Sequence, residues 1–238
     1  MRIISLVPSI TELLYALGLE HEVSGITKFC VHPKKWFQTK ERIGGPKTLN
    51  IEKIQSLHPE LVIAGKEENI KKQVEAIEQF CKVHLTDVVS FEDAIDMIEV
   101  IGTLTGKTKQ AVEISGKIKL AFEQLKTSSP KKAVYFIWKD PWMVAGGDTF
   151  INAMMHKAGY INLFADQTRY PSPTLDRLIE MKPPYLLLSS EPYPFHQKHA
   201  QQLKSFFPES EIVLVDGEMF SWYGSRMINA ADYFNTLS

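Results

Sequence analysis

The stretch Asn50-Ile-Glu-Lys-Ile-Gln-Ser-Leu-His-Pro-Glu-Leu-Val-Ile-Ala64 aligns without a gap with Thr174-Leu-Asp-Arg-Leu-Ile-Glu-Met-Lys-Pro-Pro-Tyr-Leu-Leu-Leu188. Each copy reads as an amphipathic helix that closes at a proline, because the residue before proline is pushed out of helical geometry. Each then feeds a short apolar run of the kind that forms a buried strand. Self-similarity at so long a period points to related halves, with two ordinary αβ units that merely look alike as the alternative. The same register sets Glu67 opposite Glu191, each three residues past the aligned stretch, where a parallel strand turns outward.

Outward from the repeat, the apolar run to Val7 is followed by Pro8 and by Ser9-x-x-Glu12, whose side chains can cap a helix start reciprocally. Ile10, Leu13, Leu14 and Leu17 recur at helical spacing, and Gly18 suits the left-handed position past the helix end. Strand-like runs at Val23–Thr27, Leu61–Ala64 and Val83–Thr86, with helical patterns between them, predict a parallel sheet covered by helices. A second βα series contains Ala133–Trp138, a helix over Thr149–Lys157 with Gly159 beyond it, strands at Tyr185–Ser189 and Ile212–Val215, and a terminal helix from Arg226 to Leu237. Between the two series, Ser90 to Lys126 is helical throughout. Gly102 and Gly106 divide a short helix from a longer one of about 21 residues, reaching about 31 Å, that ends at Ser128-Ser129-Pro130. The fold expected is α/β: a lobe over residues 1–104, a connecting helix over 105–128 and a second lobe over 129–238, both lobes with mainly parallel sheets.

Composition narrows the function. With 27 basic against 28 acidic residues the net charge is -1, so no global field attracts nucleic acid or an anionic membrane. Two cysteines, Cys30 and Cys81, make no disulfide framework. No apolar run approaches the roughly 20 residues that span a bilayer, and the run after Met1-Arg2 is too short for the core of a signal peptide.

Open α/β sheets bind ligands at the carboxyl ends of their strands. The first lobe offers Pro8 and Ser9, Phe29-Cys30-Val31-His32 with Trp36, Gly44 to Lys47, Lys66, Glu67 and Asp87. The second offers Trp138 to Trp142, Arg169-Tyr170, Glu191 to Phe195 and Phe220 to Arg226. All four tryptophans (Trp36, Trp138, Trp142, Trp222) fall in these loops, which fits a planar or bulky ligand, although rings can equally plug sheet ends. Arg226 and Lys47 could hold an anionic group. Cys30 with His32, and His196 with His199 at i, i+3, would together make a four-ligand metal set, but their spacing matches no zinc-finger pattern. Signals for catalysis are poor: there is no nucleophile elbow, P-loop or His-Glu-x-x-His, and Gly146-Gly147-Asp148-Thr149 lacks dinucleotide spacing, which disfavours an enzyme. No cofactor is expected.

Four segments together resemble the helical-backbone solute-binding proteins of ABC importers, the cobalamin, siderophore, haem and metal receptors, and most of all the cobalamin-binding group. They are Ile4 to Glu12, Asn50 to Ala64, the loop Trp138-Lys-Asp-Pro-Trp-Met-Val-Ala-Gly146, and Ser221-Trp-Tyr-Gly-Ser-Arg226. The resemblance covers nearly the whole chain. It implies two Rossmann-like lobes joined by a rigid helix that bends little, a monomer, and a ligand held in the inter-lobe cleft. Corrinoid comes first, then haem or a ferric chelate. The contacts expected are Ser9, Phe29, His32, Trp36, Trp138, Trp142, Tyr170, Trp222 and Arg226. The resemblance also implies one docking carboxylate per lobe for the transporter's membrane subunits, which the repeat register nominates as Glu67 and Glu191. In the first lobe a straight alignment sets Lys71 at that position, with Glu67 or Glu68 substituting upstream. Such a receptor is periplasmic, which requires that a leader was removed; with Met1 as the native start the protein is a cytosolic carrier or sensor. The rivals are a metal receptor using Cys30, His32, His196 and His199, and an enzyme acting on a tetrapyrrole with Asp140 or Glu191 as acid or base.

Overall fold

The computed structural model describes residues 1–126 and 129–237. The chain separates into two compact units: unit 1 comprises Met1–Val88, Glu92–Ile118 and Trp222–Arg226, and unit 2 the described residues of Val89–Phe91, Lys119–Ser221 and Met227–Ser238. Residues 127 and 128, placed by sequence at the end of the connecting helix, lie outside the described residues.

Unit 1 runs β1 (Ile3–Ser5), α1 (Pro8–Ala16), β2 (Val23–Ile26), α2 (Lys34–Thr39), β3 (Glu41–Arg42), the hairpin β4 (Gly44–Gly45) and β5 (Thr48–Leu49), α3 (Ile51–Ser56), β6 (Leu61–Gly65), α4 (Lys71–Glu78) and β7 (Val83–Thr86). Next come α5 (Phe91–Leu104) and α6 (Thr108–Glu123), within which the division between units falls. The sheet is parallel throughout, in the order β3-β2-β1-β6-β7. Every residue of β1 and β6 is buried, as central strands covered on both faces require. Ile4, Leu6, Ile54, Val62 and Ile77 form the core on one of those faces.

Unit 2 continues with β8 (Lys131–Trp138), β9 (Met143–Val144), α7 (Phe150–Lys157), β10 (Tyr160–Asn162), α8 (Leu175–Met181), β11 (Tyr185–Ser189), α9 (Gln197–Phe206), β12 (Glu211–Val215), α10 (Gly217–Ser221) and α11 (Met227–Phe234). Its sheet has the order β10-β8-β11-β12, parallel, with β9 antiparallel on β8. The two sheets share a plan: the first strand of each unit sits centrally, between the second parallel strand and the strand of the repeat.

The aligned segments agree at their caps, exits and strands, with α8 one residue longer than α3. Asn50 caps α3 by accepting the Lys53 N–H at 2.9 Å, and Thr174 caps α8 by accepting the Arg177 N–H at 3.3 Å. Both helices exit through a left-handed residue before the proline, His58 at φ 47° and Lys182 at φ 45°. The strands that follow, β6 and β11, occupy equivalent positions in the alignment, so Glu67 and Glu191 each lie two residues beyond a strand end.

Three local expectations need correction. Helix α1 starts at Pro8, with Val7 at the cap and no side-chain cap bond, so Ser9-x-x-Glu12 is not a capping box. Proline is at home in a first helical turn, and that placement draws Ser9 into the helix. The end of α1 is as expected: Gly18, at φ +75°, donates to Tyr15 O and Leu19 donates to Leu14 O, the paired bonds of a Schellman turn. The helical stretch between the two series is also not a short helix followed by one of about 21 residues. It holds α5 of 14 residues and α6 of 16, the latter about 24 Å long. Gly106, at φ +70°, makes the break. Gly102 instead lies inside α5, where a Cβ would stand 2.2 Å from the Ala111 Cβ, so it allows α5 and α6 to touch closely.

Candidate ligand-binding faces

In unit 1 the carboxyl ends of β1, β6 and β7 are covered by the segment Trp222–Arg226. Tyr223 is buried, and its hydroxyl hydrogen-bonds with Ser9 after β1 and Thr86 at the end of β7. Burial pushes this phenol well above its ordinary pKa, so it stays neutral. Arg226 holds Glu12 through two parallel bonds, Nε to Oε2 and Nη2 to Oε1, each 2.7 Å, and its guanidinium lies over the Trp222 ring at 4.8 Å. Trp222 in turn meets the His32 ring edge-on at 5.5 Å. Arg226 was expected as a contact for an anionic ligand group; its fork is instead filled by Glu12, which brings Arg226, Trp222 and His32 into one cluster.

Trp36 is the clearest departure. Its ring is completely buried, meeting Tyr15 edge-on at 5.3 Å with the Lys40 amine 5.2 Å away, so it has no surface to offer a ligand. Phe29 is the opposite, 54% exposed, with the Lys28 amine over its ring at 5.3 Å. Ser9 is 4% exposed and engaged by Tyr223. Lys47 donates to the Glu67 carbonyl at 2.7 Å, which fixes the turn beyond β6, while Lys71 is an exposed lysine facing Glu75.

In unit 2 the rings form a continuous cluster at the ends of β8 and β11. Trp138, 40% exposed, rests edge-on upon Tyr193 at 5.5 Å. Tyr193 touches Phe195 and His199, and Phe195 stacks on Trp142, which packs in turn on Phe136. Trp142 is thus partly a core residue, whereas Trp138 is the ring that reaches outward. Tyr170 is half-buried beneath the Arg169 guanidinium at 5.7 Å. Glu191 accepts the Ser221 hydroxyl at 2.7 Å. It borders a groove of about 570 Å³ with a floor of Leu188, Phe195 and Leu214 and further carboxylates at Asp216 and Glu218.

Within each unit the candidate metal ligands are engaged by other partners. Cys30 is fully buried, with its sulfur 3.1 Å from the hydroxyls of both Thr11 and Thr27, and burial raises the pKa of its thiol. His199 accepts the His196 backbone N–H at Nδ1 and faces the Tyr193 hydroxyl with Nε2. Among the described residues no group of three or more His, Cys, Asp or Glu side chains gathers as a metal site needs. No helix of the described residues is long and apolar enough to cross a membrane.

Sequence reasoning missed Glu12 as the partner of Arg226 and Tyr223 as the plug on the sheet edge. These contacts join residues more than a hundred positions apart, and no periodicity announces them. Tyr193, which supports Trp138, was visible only as one ring among several in its loop.

Comparison with known proteins agrees with this architecture. The chain is 33% identical over 195 residues to the uncharacterized ABC transporter substrate-binding lipoprotein YvrC of Bacillus subtilis, a match covering 76% of this chain and 61% of that protein. The chain thus spans less than two thirds of that relative's length. It is 24% identical over 241 residues to the vitamin B12-binding protein of Photorhabdus laumondii, covering 98% of this chain and 86% of that one. Among solved structures, the apo periplasmic heme-binding protein RhuT from Roseiflexus sp. RS-1 superposes with a TM-score of 0.85 at 20% identity, over 99% of this chain and 96% of that one. The model of the periplasmic binding protein family matches residues 3–213, and the chain belongs to that family.

Proposed function

We propose that the protein is the substrate-binding component of an ABC importer and reversibly binds a bulky ring-bearing ligand. A cobalamin or related corrinoid is the first candidate, with haem or a ferric chelate next. The observation that carries this reading is the set of rings standing at the strand ends of the units, with Phe29 in unit 1 and Trp138 in unit 2 reaching solvent. Rings of that kind grip a flat or bulky ligand by area and stacking, and the likeness to a vitamin B12-binding protein over almost the entire chain favours the corrinoid. Phe29, His32 and Trp222 are the contacts from unit 1, and Trp138, Trp142 and Tyr170 those from unit 2. Ser9 and Arg226 act indirectly, by fixing Tyr223 and Trp222.

In this reading the protein is a monomeric receptor, not an enzyme. It works outside the inner membrane, with lobes at 1–104 and 129–238 and α6 (Thr108–Glu123) within the segment that connects them. Glu67 and Glu191 would meet the transporter's membrane subunits, each fixed beyond a strand of the repeat. A thermal-shift panel of cyanocobalamin, haem and ferric siderophores tests the reading. A true ligand at a hundredfold excess over its Kd adds about 2.7 kcal/mol of stability, or about 5–10 °C in Tm for a chain of this size. A flat response to all three classes would sink the proposal.

A further inference from the structure

His199 stands at the third position of α9, directly above the turn that starts the helix. The His196 backbone N–H donates to its Nδ1 at 3.0 Å, so Nδ1 carries a lone pair and the ring proton resides on Nε2. Nε2 faces the Tyr193 hydroxyl at 3.3 Å, and the Tyr193 ring supports Trp138 edge-on at 5.5 Å. An unbroken line of contacts therefore runs from one imidazole to the exposed indole of unit 2. A glutamate or glutamine usually accepts the cap N–H from this helix position. A histidine there does the same work only while it is neutral, because protonation converts Nδ1 from acceptor to donor and turns N–H against N–H.

We propose that His199 is a positioning residue for Trp138 that works only as the neutral Nε2–H tautomer, so that acidification releases the start of α9, then Tyr193, and weakens the grip of the Trp138 loop on its ligand. The ligand clause rests on the function proposed above; the coupling of the rings does not.

The surroundings favour the neutral form at ordinary pH. His199 is buried, and burial is the main reason its pKa lies below the usual value. Lys198 on α9, Lys139 on the loop after β8 and His196 at the helix cap all oppose a further positive charge. Asp140 acts in the other direction, but its carboxylate is already paired with the Lys139 amine at 2.9 Å. Tyr193, the remaining titratable neighbour, turns its hydroxyl toward Nε2 at 3.3 Å. As the native pKa is the lower one, the unfolded chain takes up the proton first as pH falls through about 6.5. Stability should therefore decline from that point downward until the native imidazole titrates as well, and then level off.

Indole and imidazole resonances of the full-length apo protein, followed by NMR through a pH titration, test the coupling. The Trp138 indole N–H, assigned with Trp138→Phe, should shift with the same midpoint as the His199 ring, and that midpoint should lie below 6.5. In His199→Gln the side-chain oxygen can still accept the cap N–H but has no proton to gain, so the Trp138 shift should vanish while the spectrum at neutral pH is kept. An Nδ1–H tautomer at neutral pH, or a Trp138 titration that persists in His199→Gln, would overturn the proposal. With cyanocobalamin as the probe, affinity should fall about fivefold between neutral pH and pH 5 in the native chain and stay level in His199→Gln; equal falls in both would also overturn it. If cyanocobalamin binds at neither pH, the corrinoid reading fails, while the NMR result still decides the coupling.

Discussion

Glu12 and Arg226 meet through two bonds of 2.7 Å, with side chains 21% and 10% exposed, so much of their hydration has been exchanged for each other. Such charge-assisted, bidentate pairs are the strong ones, and removing one partner leaves the other poorly solvated. Glu12→Gln should therefore cost about 2 kcal/mol of stability, measured by urea unfolding, and loosen Trp222, whose ring lies under the guanidinium. A loss within about 0.3 kcal/mol would mean that the pair behaves like an exposed surface bridge. The sequence announced that Arg226 is a forked donor suited to an oxyanion, and that chemistry is right. It did not announce which oxyanion, because the answer lies 214 residues upstream and depends on the fold. Trp36 teaches the complementary point: expected in a strand-end loop as a ligand contact, it lies within α2 and is completely buried, and only burial distinguishes a plug from a platform.

Helices and strands were more legible than side-chain partners, because their signals are local. The repeat located two helices, two left-handed exits and two central strands, since caps, prolines and apolar runs act within a few residues. Helix α1 shows how local signals compete: Ser9-x-x-Glu12 has the letters of a capping box, but the helix begins at Pro8, two residues earlier than a Ser9 cap would set it. The length of α6 was overestimated for a related reason: polar helical pattern continues past Glu123, where the helix ends. Gly102 was taken for a break, yet its absent side chain serves packing between α5 and α6. Replacing it with alanine would ordinarily help a helix by about 0.5–1 kcal/mol. Here the new methyl would stand 2.2 Å from the Ala111 Cβ and force the helices apart, an overpacking cost of about 1–3 kcal/mol. Gly102→Ala should therefore lower the Tm seen by calorimetry; an unchanged or higher Tm would show that α5 and α6 have room to separate.

Over the whole molecule, two units of the same plan each expose rings at the carboxyl edge of a parallel sheet, in a chain with almost no net charge. That combination suits capture of a ligand by area and stacking, without long-range electrostatic steering. The architecture could be read from the repeat and the family from four segments taken together, but the ligand could not, because rings report bulk and flatness more directly than identity. Isothermal titration of the apo protein with cyanocobalamin, alongside the Trp138→Ala variant, tests the account most directly. It predicts saturable binding of one ligand per chain, about tenfold weaker once the exposed indole is removed. Binding that is unaffected by Trp138→Ala, or no binding of corrinoid, haem or ferric chelate, would contradict it.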